Sequence, residues 1–126
     1  MRNSMKAFWR DAERQVQTEH ELREVVETVQ RLDAPTMLFL EGEGKQMLVV
    51  GLGHPESVLT FIQSDGQSFH SLGDPNRTGR IRFWCRDQID EFMEEMAVPE
   101  QEAVKAALQF LATEQRPSTI RWEADW

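Results

Sequence analysis

Leu22, Val25, Val26, Val29 and Leu32 recur every three to four residues, the period of a helix with one apolar face. This spacing predicts a helix over 19–32. Thr18 and Glu21 stand at its start in the pattern of a capping box, where hydroxyl and carboxylate each satisfy a free backbone N–H. Asp33-Ala34-Pro35 ends it, because proline disfavours helical geometry in the residue before it. A second helix is predicted over 99–113. Pro99 suits the first helical position, and Glu100 and Glu102 complement the positive end of the helix dipole. Its buried stripe is Val104, Ala107, Leu108 and Leu111, flanked by Ala103 and Phe110.

Between the helices the pattern changes to short apolar runs separated by turn residues. Thr36–Leu40 is such a run, and Glu41-Gly42-Glu43-Gly44 turns the chain. Gln46–Leu52 is apolar on both faces, as a central strand would be. Gly51-Leu52-Gly53-His54-Pro55 breaks it. Ser57–Gln63 and Gln67–Leu72 flank an Asp65-Gly66 hairpin signal, and Gly73-Asp74-Pro75-Asn76 turns again. Arg80–Arg86 alternates, with Ile81, Phe83 and Cys85 on one side and Arg80, Arg82, Trp84 and Arg86 on the other. Ser118–Trp122 is predicted as a last strand after Arg116-Pro117. No element is predicted before residue 19.

Short connections favour a meander, and two amphipathic helices can cover one face of it. The expected fold is therefore α+β: a two-layer domain with an antiparallel meander sheet of about five to six strands and two helices packed mainly on one face. With no repeat, low-complexity tract or linker, residues 1–126 read as a single domain, in which 1–18 need be only a loosely attached N-terminal segment.

Composition narrows the class. A chain of 126 residues with 40% hydrophobic content can bury roughly two-thirds of its unfolded surface. Cys85 is the only cysteine, so no internal disulfide forms, which fits a reducing compartment. The first residues hold no apolar run of signal-peptide type, and no stretch is long enough to span a bilayer. A soluble, cytoplasmic protein is expected. The net charge of −8 disfavours nucleic acid as a direct partner and permits a basic protein partner with fast encounter.

Charge is unevenly placed. Residues 74–86 carry Arg77, Arg80, Arg82 and Arg86 against one acid, Asp74; residues 87–102 then hold seven acids and no Lys or Arg. Arginines interleaved with Trp84 are one recipe for single-stranded nucleic acid. The simpler reading is a solvent-facing sheet surface whose arginines pair with the acids that follow. A tryptophan on such a face is either covered by arginine stems and a neighbouring segment or is a contact anchor.

Catalytic chemistry finds little support. His20, His54, His70 and Cys85 lack metal-ligand spacing. Gly51-x-Gly53 lacks the third glycine and the following helix of a phosphate loop. Ser57, Ser68 or Ser71 with His54 or His70 and Asp65 or Asp74 form trios of the kind chance supplies. Cys85 falls on the apolar side of its strand and reads as a small buried hydrophobe. No catalytic residue, cofactor site or metal site is assigned.

One resemblance goes further. The stretch 57–75, SVLTFIQSDGQSFHSLGDP, has an apolar strand, the Asp65-Gly66 hairpin, a returning strand with serine, and Gly73-Asp74. Downstream, 98–122 has an Ala-rich helix, Arg116-Pro117 and a short strand ending in Trp122. In combination and order, over roughly 36–122, these features resemble an immunity protein family of bacterial polymorphic toxin systems, the family numbered one. Where that family often has glycine before Arg-Pro, this chain has Gln115.

The resemblance implies a non-catalytic, cytoplasmic inhibitor that binds the toxin domain encoded beside it and occludes its active-site mouth or nucleic-acid groove. Many such toxins resemble nucleic-acid deaminases and others are nucleases. A toxin that grips phosphates presents a basic groove, which an acidic inhibitor complements. On that charge argument the partner-binding residues are Asp87, Asp90, Glu91, Glu94 and Glu95, with Trp84 as anchor. The Gly-Asp-Pro turn, the Asp-Gly hairpin and Trp122 read as fold-determining. Two other classes stay open on the residues alone: a scaffold or regulatory module binding a protein other than a toxin, and a small enzyme with a polar pocket.

Overall fold

A computed structural model of the chain describes residues 4–125. The strands are β1 (Met5–Trp9), β2 (Ala12–Val16), β3 (Thr36–Glu41), β4 (Met47–Leu52), β5 (Glu56–Ser57), β6 (Leu59–Ile62), β7 (Ser68–Ser71), β8 (Arg80–Cys85), β9 (Gln88–Met93), β10 (Val98–Pro99) and β11 (Trp122–Ala124). The helices are α1 (Glu19–Gln30) and α2 (Glu100–Thr113), with a single 3-10 turn at Glu94–Met96. Nine strands form one sheet, in the order β11-β7-β6-β4-β3-β1-β2, from which the β8–β9 hairpin branches at β3; β5 and β10 form a separate pair.

The fold is α+β, but its sheet is larger than the five to six strands expected. Two omissions account for most of the difference. Residues 5–16 form the β1–β2 hairpin, and β1 pairs with β3 as well as β2. Met5, Ala7 and Trp9 are buried on one side of β1 while Lys6 and Phe8 face the other way. The turn between them is Arg10-Asp11, without the Gly or Asn that usually marks a two-residue hairpin. The second omission is β9, whose acids read as a solvated run and not as a strand. The meander survives in β3-β4-β6-β7. The join of β8 to β3, by contrast, is parallel, through Thr36 and Trp84.

α1 starts as its capping box dictates. Thr18 Oγ1 accepts from the Glu21 amide at 3.1 Å, and Glu21 Oε1 accepts from the amides of Thr18 at 3.1 Å and Gln17 at 2.9 Å. These donors, that of Gln17 first, hold the Glu21 carboxyl below its ordinary pKa. At α2, Pro99 precedes the first helical residue, with ψ of 139° and no side-chain cap, and the Glu100 amide donates to the Pro55 carbonyl instead. The buried side of α2 is Ala103, Ala106, Ala107, Phe110 and Leu111; Val104 and Leu108 are only partly covered. Val104 turns instead toward α1, beside Val26. The last strand lies later than predicted, at Trp122–Ala124, with Trp122 Nε1 donating to the Pro117 carbonyl at 2.7 Å.

Both helices pack on one side of the sheet. There Leu22, Val25, Val26 and Val29 of α1 and the alanines and Phe110 of α2 meet Leu38, Leu40, Leu48, Val50, Leu59 and Phe61. A second, smaller core forms on the other side. It joins Met37 and Val49 to Val58, Ile81 and Phe83, with Phe92, Cys85 and Met96 packed around them. The β8–β9 hairpin therefore folds over the back of the sheet. Gly51 makes room for it. This residue lies inside β4 and does not break the strand as expected; a Cβ there would come within 2.7 Å of the Phe83 ring.

Candidate functional site

The arginine-rich stretch and the acids after it form the two strands of one antiparallel hairpin. Directly opposed residues share a face, so the register places Ile89 beside Trp84, Glu91 beside Arg82 and Met93 beside Arg80 on the outer face. Ile81, Phe83 and Cys85 turn inward with Phe92, Asp90 and Gln88.

Of Arg77, Arg80, Arg82 and Arg86, two pair with carboxylates. Arg77 donates to both Glu56 oxygens, at 2.6 and 2.9 Å, and to Glu94 at 3.1 Å. These bonds hold the Glu56 carboxyl below its ordinary pKa and push the guanidinium further up. Arg82 Nε donates to Glu91 at 2.9 Å across the two strands, on an exposed face. Arg80 and Arg86 have no carboxylate within ion-pair distance among the described residues.

Trp84 is half-buried, and the Arg10 guanidinium lies over its ring at 4.1 Å. Arg86 in turn lies over Phe8 at 5.1 Å. The turns of the two hairpins thus cover each other's aromatic residues, and they line one cleft formed by Trp9, Arg10, Asp11, Ala12, Leu32, Arg86 and Asp87.

The acids named from sequence occupy distinct settings. Asp87 is exposed at the hairpin turn. Asp90 accepts from Gln88 Nε2 at 3.1 Å and stands beside the Cys85 thiol. Glu91 and Glu94 carry the arginine pairs above. Glu95 is half-buried, and its carbonyl accepts from the Gly73 amide at 2.7 Å. Sequence reasoning missed two residues here. Ile89 and Met93 are the large hydrophobic side chains left exposed among the described residues, at 53% and 43%. The period-two alternation of Ile89, Glu91 and Met93 was the signal available for them.

Elsewhere the polar groups do structural work. Ser71 Oγ donates to the Met96 carbonyl at 2.7 Å and accepts from the Leu59 amide at 3.0 Å. Asp65 and Asp74 accept from the amides two residues on and form their turns. Ser68 Oγ donates to one oxygen of Asp125 at 2.8 Å, and His70 Nδ1 contacts the other. The carboxylate thus stands between hydroxyl and imidazole, so His70 is not placed to take the serine proton. No group of three His, Cys, Asp or Glu residues that could hold a metal ion occurs among the described residues. Burial, then the hydrogen bond and charge of Asp90, push the Cys85 thiol up to about 12, the opposite of an activated nucleophile.

A family model, that of the immunity protein Imm1, matches residues 10–124. The chain belongs to the Imm1 immunity protein family. Comparison with individual curated proteins gives no match. The Imm1 match begins at Arg10 and runs through both helices to the end of β11. It takes in β2, the Arg10-Asp11 turn before it, and the whole β8–β9 hairpin with the outer face of β9, while β1 lies before it. No helix among the described residues is long and apolar enough to cross a membrane.

Proposed function

We propose that this Imm1 protein is a non-catalytic, cytoplasmic immunity protein that binds a toxin domain and occludes it, protecting the bacterium that makes both. The toxin acts on nucleic acid, as a deaminase-like enzyme or a nuclease, and presents a basic surface. The observation that carries the reading is the outer face of β9. There a family member with a net charge of −8 exposes two large apolar side chains, Ile89 and Met93, on either side of Glu91. Apolar anchors set among charges are the composition of a contact surface. Asp87, Glu91 and Glu95 supply its acidic rim, and the Arg10-covered Trp84 borders it; Asp90, on the inner face beside Cys85, adds charge from behind. Glu94 contributes charge while tied to Arg77.

The test is a titration. The C-terminal domain encoded by the neighbouring upstream gene is purified and its activity on DNA and RNA measured with increasing amounts of this protein. Loss of activity that saturates at one equivalent, with a stable complex on size exclusion, is expected. Full activity at large excess would contradict the reading.

A further inference from the structure

β9 ends the hairpin branch of the sheet: among the described residues it pairs with β8 and with no other strand. Two hydrogen bonds fix which of its backbone groups lie free. The Glu94 amide donates to the Gly79 carbonyl, and the Trp84 amide donates away from β9, to Pro35. In an antiparallel ladder, hydrogen-bonded and non-bonded pairs alternate. Gly79 and Glu94 are therefore a bonded pair, and Trp84 and Ile89 a non-bonded one, in the register that joins Arg80 to Met93. It follows that Asp90 and Phe92 turn their amides and carbonyls to β8. Ile89, Glu91 and Met93 turn theirs to the open edge. These same three residues carry their side chains on the outer face.

An open edge with exposed apolar side chains invites another strand. A second copy of this chain is a poor occupant. An antiparallel pairing through the free groups sets Glu91 against Glu91, Asp90 against Asp90, Glu91 against Asp87 or Glu95, or Asp90 against Glu94. Each of these registers brings like charges directly opposite, which destabilises a ladder. The other edge strands, β2 and β11, expose no large apolar side chain. β9 therefore combines a free ladder, two apolar contacts and charges that reject its own copy.

We infer that the open edge of β9 accepts an extended strand of the toxin, which adds to the sheet by backbone pairing. On one face that strand carries a Lys or Arg opposite Glu91, flanked at alternate positions by apolar residues opposite Ile89 and Met93. The inference rests on the immunity reading and specifies how the complex forms. Main-chain bonds supply the attraction; the acids select a basic strand and exclude a second copy.

The experiment is amide hydrogen exchange on the wild-type protein, free and bound to the toxin domain encoded by the upstream gene. In the complex the amides of Ile89, Glu91 and Met93 slow by about 100-fold or more, while those of Asp90 and Phe92, already bonded to β8, change little. A variant supplies a second readout. Proline is tolerated where the N–H faces outward on an edge strand, so Glu91→Pro keeps the fold and weakens the complex by about 100-fold or more. Glu91→Gln keeps the amide and weakens it by less than about 10-fold. A complex in which residues 89, 91 and 93 exchange as in the free protein overturns the inference and leaves immunity standing. So does equal binding by the Pro and Gln variants. Absence of any complex with the wild-type protein overturns the immunity reading and this inference with it.

Discussion

The guanidinium of Arg10 lies 4.1 Å from the centre of the Trp84 ring, and it reaches there from a left-handed backbone with φ of 47°. Arg86 repeats the device at φ 61°, over Phe8. Each arginine sits at the first position of a two-residue turn followed by aspartate. A left-handed residue with a side chain costs roughly 1–2 kcal/mol, and an exposed stack of this kind returns about 0.5–1 kcal/mol. Arg10→Ala keeps the backbone strain and loses the stack, whereas Arg10→Gly loses both. The Gly variant should be the more stable of the two by about 1 kcal/mol in urea unfolding. An Ala variant at least as stable as the Gly variant would show that the turn is not strained.

Gly73 packs against backbone. A Cβ there would lie 2.0 Å from the Ala97 carbonyl oxygen, and the Gly73 amide also donates to Glu95. Gly73→Ala should cost more than about 3 kcal/mol or prevent folding, since a rigid segment has to move. Gly44 has no described residue within 4 Å of the same position, and Gly44→Ala should change stability by less than about 0.5 kcal/mol. Thermal melts of the two variants check the contrast.

The Arg77 cluster ties the loop before β8 to β5 and to the 3-10 turn after β9. Because Arg77 hydrogen bonds lower the Glu56 pKa in the folded state, this carboxylate stabilises the fold at pH values above its unfolded pKa. That contribution is lost as pH falls through the lower, folded value. Arg77→Met should therefore make stability less dependent on pH in the acid range, with the largest deficit near neutrality. Urea midpoints measured from pH 3 to pH 7 test this, and parallel curves for variant and wild type would speak against it.

Cys85 should be inert. With its pKa pushed up to about 12 by burial and by Asp90, its thiolate fraction at pH 8 falls on the order of 10³-fold below that of a free cysteine. Iodoacetamide should modify the native protein correspondingly slowly, and at the ordinary rate in urea. Rapid labelling of the folded protein would mean that the inner side of the hairpin opens readily.

The parts of this fold legible in the sequence are those where local chemistry and tertiary packing agree. α1 announces itself by spacing and by Thr18 and Glu21. The β6–β7 hairpin does so through Asp65 and Gly66, whose φ is 91°. β1–β2 stays hidden because its turn is Arg-Asp, a pair held by stacking onto a hairpin some 75 residues away in sequence. β9 stays hidden because its acids outweigh Ile89, Phe92 and Met93 in any local reading. Gly51 reads as a breaker, since nothing nearby in sequence shows that Phe83 lies against it. At the candidate site, the pairing of Arg82 with Glu91 and of Arg77 with Glu94 was legible from adjacency; the bidentate pairing of Arg77 with the earlier Glu56 was not. The exposed pair Ile89 and Met93 was not, because its period-two spacing counts only once 88–93 is recognised as a strand.

The most direct test of the immunity role is growth. The C-terminal domain encoded by the upstream gene is induced in a heterologous bacterium with no second protein, with the wild-type protein, or with the Ile89→Lys/Met93→Lys variant. The toxin alone should arrest growth, the wild-type protein should restore it, and the soluble, folded variant should restore it poorly. Arrest that persists beside abundant, soluble wild-type protein would contradict the immunity account.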